Sequence, residues 1–156
     1  MTIPRFYCPI PLTAGSRIDL PNAPAHHAVR VLRLSVGDAV ILFNGQGGET
    51  HGVIEHSNGN RVTVALQAQH PIEREPSLPV TLIQALAGTD KMDLVIQKAV
   101  ELGVARIVPV ITERSVVRLS AERAGKRLEH WRGVVIAACE QCGRNRLPEV
   151  AAPAPL

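Results

Sequence analysis

The stretch PVTLIQALAGTDKMDLVIQKAVELGVARIVPVI, residues 79–111, decides the fold class. It opens on a near-continuous apolar run, PVTLIQALAG (79–88), with the length and character of a strand buried between layers. The rhythm then changes: Met92, Val95, Ile96, Ala99 and Leu102 recur at three- and four-residue spacing, which puts them on one stripe of a helix. Asp90 is placed to cap its first turn, and Gly103 to end it with a left-handed residue. ARIVPVI (105–111) is a second apolar strand. Strand, helix and strand in this order make a βαβ unit. Such a unit requires parallel pairing through a right-handed crossover, and it gathers ligand-binding groups at the carboxyl ends of its strands.

The pattern continues downstream. Ser120 can cap a long helix whose Leu128, Trp131, Val135, Ala138 and Cys142 share a stripe and whose end is marked by Gly143. Packing is therefore the expected role of Cys142, with Cys139 near the edge of the same face. LPEVAAPAPL (147–156) can begin a third strand.

Upstream, residues 5–70 read differently. RFYC, SRIDL, AVILFN, ETHGVIEHS and NRVTVALQAQ are short strand-like segments separated by turn signals, including NGQGG (44–48) and the hairpin pair Asn58-Gly59. One helix, APAHHAVRVLRL (23–34), interrupts them. Several short strands with one helix predict a small β-barrel, which solves the problem of exposed strand edges. PIEREPSLP (71–79), with three prolines and alternating charges, breaks both helix and strand and reads as a linker. The resulting division is a barrel over 1–70, a linker over 71–79 and an α/β domain over 80–156.

Composition narrows the function classes. An apolar share of 46% in 156 residues supports a real core, and no apolar run is long enough for a transmembrane helix, so a cytoplasmic location is expected. Three irregularly spaced cysteines argue against a disulfide scaffold. Up to Leu78 the chain has 6 basic and 6 acidic residues; beyond it there are 11 and 8, so the excess positive charge lies in the second half and points to a polyanionic partner. With four aromatics in all, an extended base-stacking platform is not expected.

The thiol pair in AACEQCGRNRLPEV (137–150) has the CxxC form. A zinc site would need about four ligands, and Cys8 is the only other cysteine. Redox pairs draw their low pKa from a helix N-terminus, whereas these lie in a last turn, so no metal is assigned. GxGxxG, P-loop, GxSxG and HExxH are all absent. The polar groups that remain are Glu140, Gln141, Arg144, Asn145 and Arg146 at a helix C-terminus; TERSVVRLSAERAGKR (112–127), with Arg114 in a loop after a strand; Lys91 at a helix start; and His26, His27, Arg30 and Arg33, a small basic face for phosphates.

PRFYCP (4–9), HHAVRVLRLSVGD (26–38), KMDLVIQKAVELGV (91–104), IVPVITERSV (107–116) and AACEQCGRNRLPEV together resemble, in order, the bacterial 16S rRNA uridine-N3-methyltransferase family, ribosomal RNA small subunit methyltransferase E. The resemblance implies a PUA-like N-terminal β-barrel that helps bind RNA, then a partial α/β parallel-sheet domain of the SPOUT methyltransferase class. It also implies a homodimer, the cofactor S-adenosyl-L-methionine, and 16S rRNA or the small ribosomal subunit as partner. The stretches that form the family's C-terminal knot and cofactor pocket are expected beyond Leu156, so no cofactor-binding residue is assigned here. In this frame Arg114 and Arg144 are expected to hold the target base or a neighbouring phosphate, with Glu140 as a further catalytic-site group. His27, Arg30, Arg33, Lys91, Gln141 and Arg146 are expected to contact RNA. A non-catalytic RNA-binding module is the alternative.

Overall fold

The computed structural model describes residues 3–59, 61–113 and 120–156, and the chain forms two compact units. The first comprises Met1–Arg74 with Gly143–Arg146, the second Glu75–Cys142 with Leu147–Leu156.

Strands β1 (Arg5–Tyr7), β2 (Arg17–Asp19), β3 (Ala39–Phe43), β4 (Glu49–Ser57) and β5 (Val62–His70) form the sheet of the first unit, in the order β1-β3-β4-β5-β2. β1 runs parallel to β3 and the other neighbours pair antiparallel. Alternation in the strands sends Phe6, Val40, Leu42, Ile54, Val62, Val64 and Leu66 to one side, where Ile18 of β2 also packs. Strands from both ends of the pairing order thus feed one core, as a curled, barrel-like sheet requires. The β4–β5 turn is the hairpin expected at Asn58-Gly59: Gly59 has φ +84°, and the Asn58 N–H donates to Arg61 O at 3.1 Å.

The helix expected over 23–34 is shorter and changes form. Regular α1 covers Asn22–His26, and His27–Val31 continue as a wider π-helical turn. Arg33, at φ +56°, then reverses the chain. The wider turn lets the Leu34 N–H reach Ala28 O at 2.9 Å and folds Leu34 back against the core, while Val31 and Leu32 stay exposed.

In the second unit β6 (Thr81–Ala85), β7 (Arg106–Ile111) and β8 (Glu149–Val150) form a parallel sheet, with β9 (Ala154–Pro155) pairing farther along β7. α2 (Thr89–Glu101) and α3 (Ala121–Cys142) complete the two βα units. Met92, Ile96 and Val100 of α2, Ile107 of β7, and Trp131, Val135, Ala138 and Cys139 of α3 are buried. The architecture is therefore a mostly antiparallel β unit followed by a parallel α/β unit, the order that the family resemblance implies for a PUA-like and a SPOUT-type domain. None of the described helices is long and apolar enough to cross a membrane.

Several local expectations are corrected. Gly88, not Asp90, is the N-cap of α2; Asp90 lies in the first turn, where the helix dipole favours its charge. Leu102 is 82% exposed because the helix stops there: the Gly103 N–H donates to Val100 O and the Val104 N–H to Ala99 O, the paired bonds of a Schellman cap. Ser120 does cap α3, its Oγ accepting from the Arg123 N–H at 3.4 Å. The cysteines exchange roles: Cys139 is fully buried, whereas Cys142, the last residue of α3, is half-buried. β6 lies at an edge of the described sheet, and its Ile83 is 62% exposed.

The stretch 71–79 is not a free linker. The units divide between Arg74 and Glu75. Ile72 O accepts from Asn145 Nδ2 at 2.8 Å, and Pro76 lies so close to Gly103 that a Cβ there would stand 2.4 Å from its Cγ. The prolines keep the segment out of the sheets, but its backbone and side chains are still tied to each unit in turn.

Candidate nucleic-acid interface

Phe6 points into the core of the first unit, so Arg5 and Tyr7 face the other side of β1. There the Arg5 guanidinium lies 5.1 Å from the centre of the Phe43 ring and donates to Glu49 at 2.7 Å. Glu49, the first residue of β4, is 3% exposed. Its Oε2 also accepts from Arg74 at 3.0 Å and from Asn145 Nδ2 at 3.1 Å. Burial pushes this carboxyl toward higher pKa, yet the hydrogen bonds from Arg5, Arg74 and Asn145 and the charge of Arg5 outweigh it and lower the value from 4.5 to about 2.

This cluster anchors Gly143–Arg146. Gly143 has φ +87° and ends α3 as expected from sequence; its carbonyl accepts from Arg74 at 2.8 Å and from Arg5 at 3.3 Å. Asn145 Oδ1 accepts from Arg5 at 2.6 Å, and Asn145 O accepts the Gly47 N–H at 3.2 Å. Arg146 forms bridges with Gly45 and Gln46, and its Nε donates to Glu73 at 2.9 Å. The NGQGG turn therefore serves as a docking strip for this segment as well as connecting β3 to β4.

The predicted site residues fall into separate groups. Arg144 and Arg146 share the anchored segment, but Arg144 is 4% exposed whereas Arg146 is exposed. Glu140, half-buried, and Gln141, exposed, occupy the last turn of α3 in the second unit. His27 sets its ring edge against Phe6 at 5.9 Å in the π-helical turn, and Arg30 and Arg33 beside it are exposed. Together with exposed Val31 and Leu32 they form a mixed basic and apolar surface. Lys91 is exposed in the first turn of α2. Arg114 lies outside the described residues.

Sequence reading missed Arg5, Glu49, Arg74 and Asn145 as a set. Their separations, from 25 to 140 positions, leave no local trace. One signal was available: Glu49 opens a strand-like run next to a glycine-rich turn, where a charged residue in the first register position needs a partner.

At the carboxyl end of β6, Gly88, Thr89, Asp90 and Lys91 border an open hollow at the start of α2. It offers a helix N-terminus and one carboxylate but no apolar side chains to enclose an adenine, so these residues do not by themselves fit a nucleoside cofactor. Among the described residues no three His, Cys, Asp or Glu side chains gather as metal ligands.

Comparison with known proteins follows the same division. Residues 20–67 match the RNA methyltransferase PUA domain, and residues 73–156 match the RNA methyltransferase domain. The chain is 31% identical over 151 residues to ribosomal RNA small subunit methyltransferase E of Buchnera aphidicola (Schizaphis graminum), covering 97% of this chain and 61% of the relative. Its Bacillus subtilis counterpart is 32% identical, with 85% and 52% covered. Among solved structures, the Neisseria gonorrhoeae ribosomal RNA small subunit methyltransferase E bound to S-adenosyl methionine superposes with TM-score 0.94 at 40% identity, covering 99% of this chain and 63% of that one. A Legionella pneumophila putative methyltransferase with the bound cofactor SAM gives 0.94 at 36%, with 100% and 64% covered. The chain thus spans between 52% and 64% of the length of these relatives. With the second domain match alone extending over more than half of its residues, the chain belongs to the RNA methyltransferase family, in the arrangement that sets a PUA domain ahead of the methyltransferase domain.

Proposed function

We propose that this chain contributes the RNA-binding unit and the first βα units of an enzyme that methylates N3 of a uridine in 16S rRNA, with S-adenosyl-L-methionine as methyl donor. The observation that carries the reading is the paired domain match over residues 20–67 and 73–156. Structures of similar chains bound to that cofactor support it. The same reading makes the small ribosomal subunit or its 16S rRNA the partner, a homodimer the assembly and the cytoplasm the location.

Uridine N3 carries a proton and is a poor nucleophile until that proton leaves. The site must therefore favour the anion shared between N3 and the flanking carbonyl oxygens, which guanidinium groups aimed at those oxygens can do. The bound cofactor would supply an electrophilic methyl group. We assign Arg114, which follows β7 in the sequence, to the target base. Arg144 becomes a positioning residue, because a side chain buried within the first unit is poorly placed to meet a base directly. Glu140 and Gln141 orient the end of α3, while Arg146, Lys91 and the His27, Arg30 and Arg33 surface meet the RNA backbone. The last of these presents exposed cations beside apolar groups on a turn of fixed, unusual backbone shape.

Arg114→Ala, in the protein that carries this chain, should lower methyl transfer to unmodified small subunits by about 10²-fold or more and leave cofactor affinity unchanged. Unchanged turnover removes Arg114 from the site. A non-catalytic RNA-binding module is the second reading, favoured by the exposed Arg30 and Arg33 beside exposed Val31 and Leu32, a surface that can hold RNA without any cofactor. Titrating S-adenosylmethionine into the protein that carries this chain separates the two: micromolar binding supports a competent site, and absence of binding supports the module.

A further inference from the structure

The NGQGG turn holds more than the chain reversal between β3 and β4. Gly45, Gly47 and Gly48 all have positive φ, +85°, +103° and +68°, and the turn faces two charged side chains. Glu73 sits over it with its two oxygens taken separately: Oε1 accepts the Gly48 N–H at 2.9 Å, and Oε2 accepts Arg146 Nε at 2.9 Å. A Cβ on Gly47 would stand 2.2 Å from Glu73 Oε1 and 2.6 Å from Arg146 Nη2, so only glycine admits the pair this closely.

We propose that the Gly48 N–H and the Arg146 guanidinium form an anion subsite for a phosphodiester of the bound RNA, a place that the Glu73 carboxylate fills in the free protein. The inference rests on the reading that the first unit binds rRNA, and it adds to that reading a defined ligand group and an internal competitor. A backbone N–H and a guanidinium directed at two oxygens of one anion suit the two non-bridging oxygens of a phosphodiester as well as they suit a carboxylate. Arg146 is presented from a fixed main chain, clipped to Gly45 and Gln46 by its bridges. Glu73 is held differently. It lies in PIEREP, outside any helix or strand, so its side chain can leave without breaking an element.

Exposure makes the exchange feasible. The Arg146 and Glu73 side chains are 53% and 41% exposed, and exposed pairs contribute little to stability, so a polyanion can replace the carboxylate at small cost. Glu49, 3% exposed and bonded to three side chains, is not exchangeable in this way.

The test is a double-mutant cycle on the 156-residue chain, read by fluorescence anisotropy with a labelled 16S rRNA fragment over a salt series. Glu73→Gln should tighten binding about fivefold. Arg146→Ala should weaken it and reduce the salt slope by about 0.7 to 0.9, the signature of one lost phosphate contact. In the Arg146→Ala background, Glu73→Gln should do no more than Glu55→Gln, which removes an equally paired carboxylate elsewhere on the unit. A Glu73→Gln effect that matches the Glu55→Gln control, or that persists without Arg146, overturns the subsite. Titration of inorganic phosphate, followed by the Gly48 amide resonance in Glu73→Gln, separates the two ideas. A saturable shift that vanishes in Glu73→Gln/Arg146→Ala upholds the anion site even if the wild-type chain fails to bind the rRNA fragment, which would instead sink the RNA reading. A silent amide overturns the site itself.

Discussion

On the helices of the second unit three charge pairs are local: Lys98 pairs with Glu101, Glu122 with Lys126 and Glu129 with Arg132, each three or four residues apart on a solvent-facing side. In the first unit a single buried carboxylate, Glu49, draws in Arg5, Arg74 and Asn145 from three distant parts of the chain. The two kinds of pairing look alike in a composition table, yet their energetics differ. An exposed helical pair loses to solvent screening most of what it gains, whereas a buried charge that keeps all its partners is costly to disturb because the partners are left stranded. Local pairs decorate a helix that would form anyway. The Glu49 cluster decides where a segment 140 positions from Arg5 comes to rest.

The contrast can be broken by substitution, beginning with its centre. Glu49→Ala removes the counter-charge of Arg5, which is only 9% exposed, and should lower stability by about 3–5 kcal/mol in urea unfolding of the 156-residue chain. A loss no larger than that of a helix-surface pair would end the distinction. The same carboxylate sets an acid limit. Its folded-state pKa, about 2, lies below the ordinary 4.5, so its contribution is complete above pH 4.5 and is lost as pH falls toward 2. The stability difference between wild type and Glu49→Gln should therefore shrink across that window in acid titrations followed by circular dichroism, and a constant difference would contradict the assignment.

Next in size comes Asn145→Ala, which removes the acceptor for Arg5 and the donor to Glu49 and Ile72 O, at an expected cost of about 1–3 kcal/mol by the same unfolding measurement. In the second unit Gly103→Ala sharpens the comparison with a purely local feature. It forces a side chain into φ +91° against Pro76 and should cost about 1–3 kcal/mol without altering RNA binding. Smallest of all, Lys126→Ala should change stability by no more than about 0.5 kcal/mol, and salt should remove even that.

Much of the architecture was legible in the chain because the signals were periodic or local. The strand segments of residues 5–70, the hairpin at Asn58-Gly59, the βαβ run of 79–111, the Ser120 cap and the Gly103 and Gly143 stops each rest on a few adjacent residues. The errors arose where two local signals competed. Helical spacing ran on through His27–Val31, but a left-handed Arg33 and the pull of Leu34 into the core widened and ended that turn. Leu102 fitted the apolar stripe, yet a cap residue has no helix beyond it to pack. The cationic groups were found by type, but type alone could not separate buried Arg144 from exposed Arg146, two positions away.

Periodicity, turn chemistry and family likeness were enough to assign two kinds of sheet, their order and the RNA methyltransferase family. Folding alone decided that residues 71–74 and the segment 143–146 join the first unit, that Glu49 is the buried counter-charge holding them, and that the Gly48 amide and Arg146 meet on one carboxylate, Glu73. The physical reason is distance along the chain. Hydrophobic period and capping act over one turn or one strand, while the desolvation that makes a charge demand partners depends on what the whole fold packs around it.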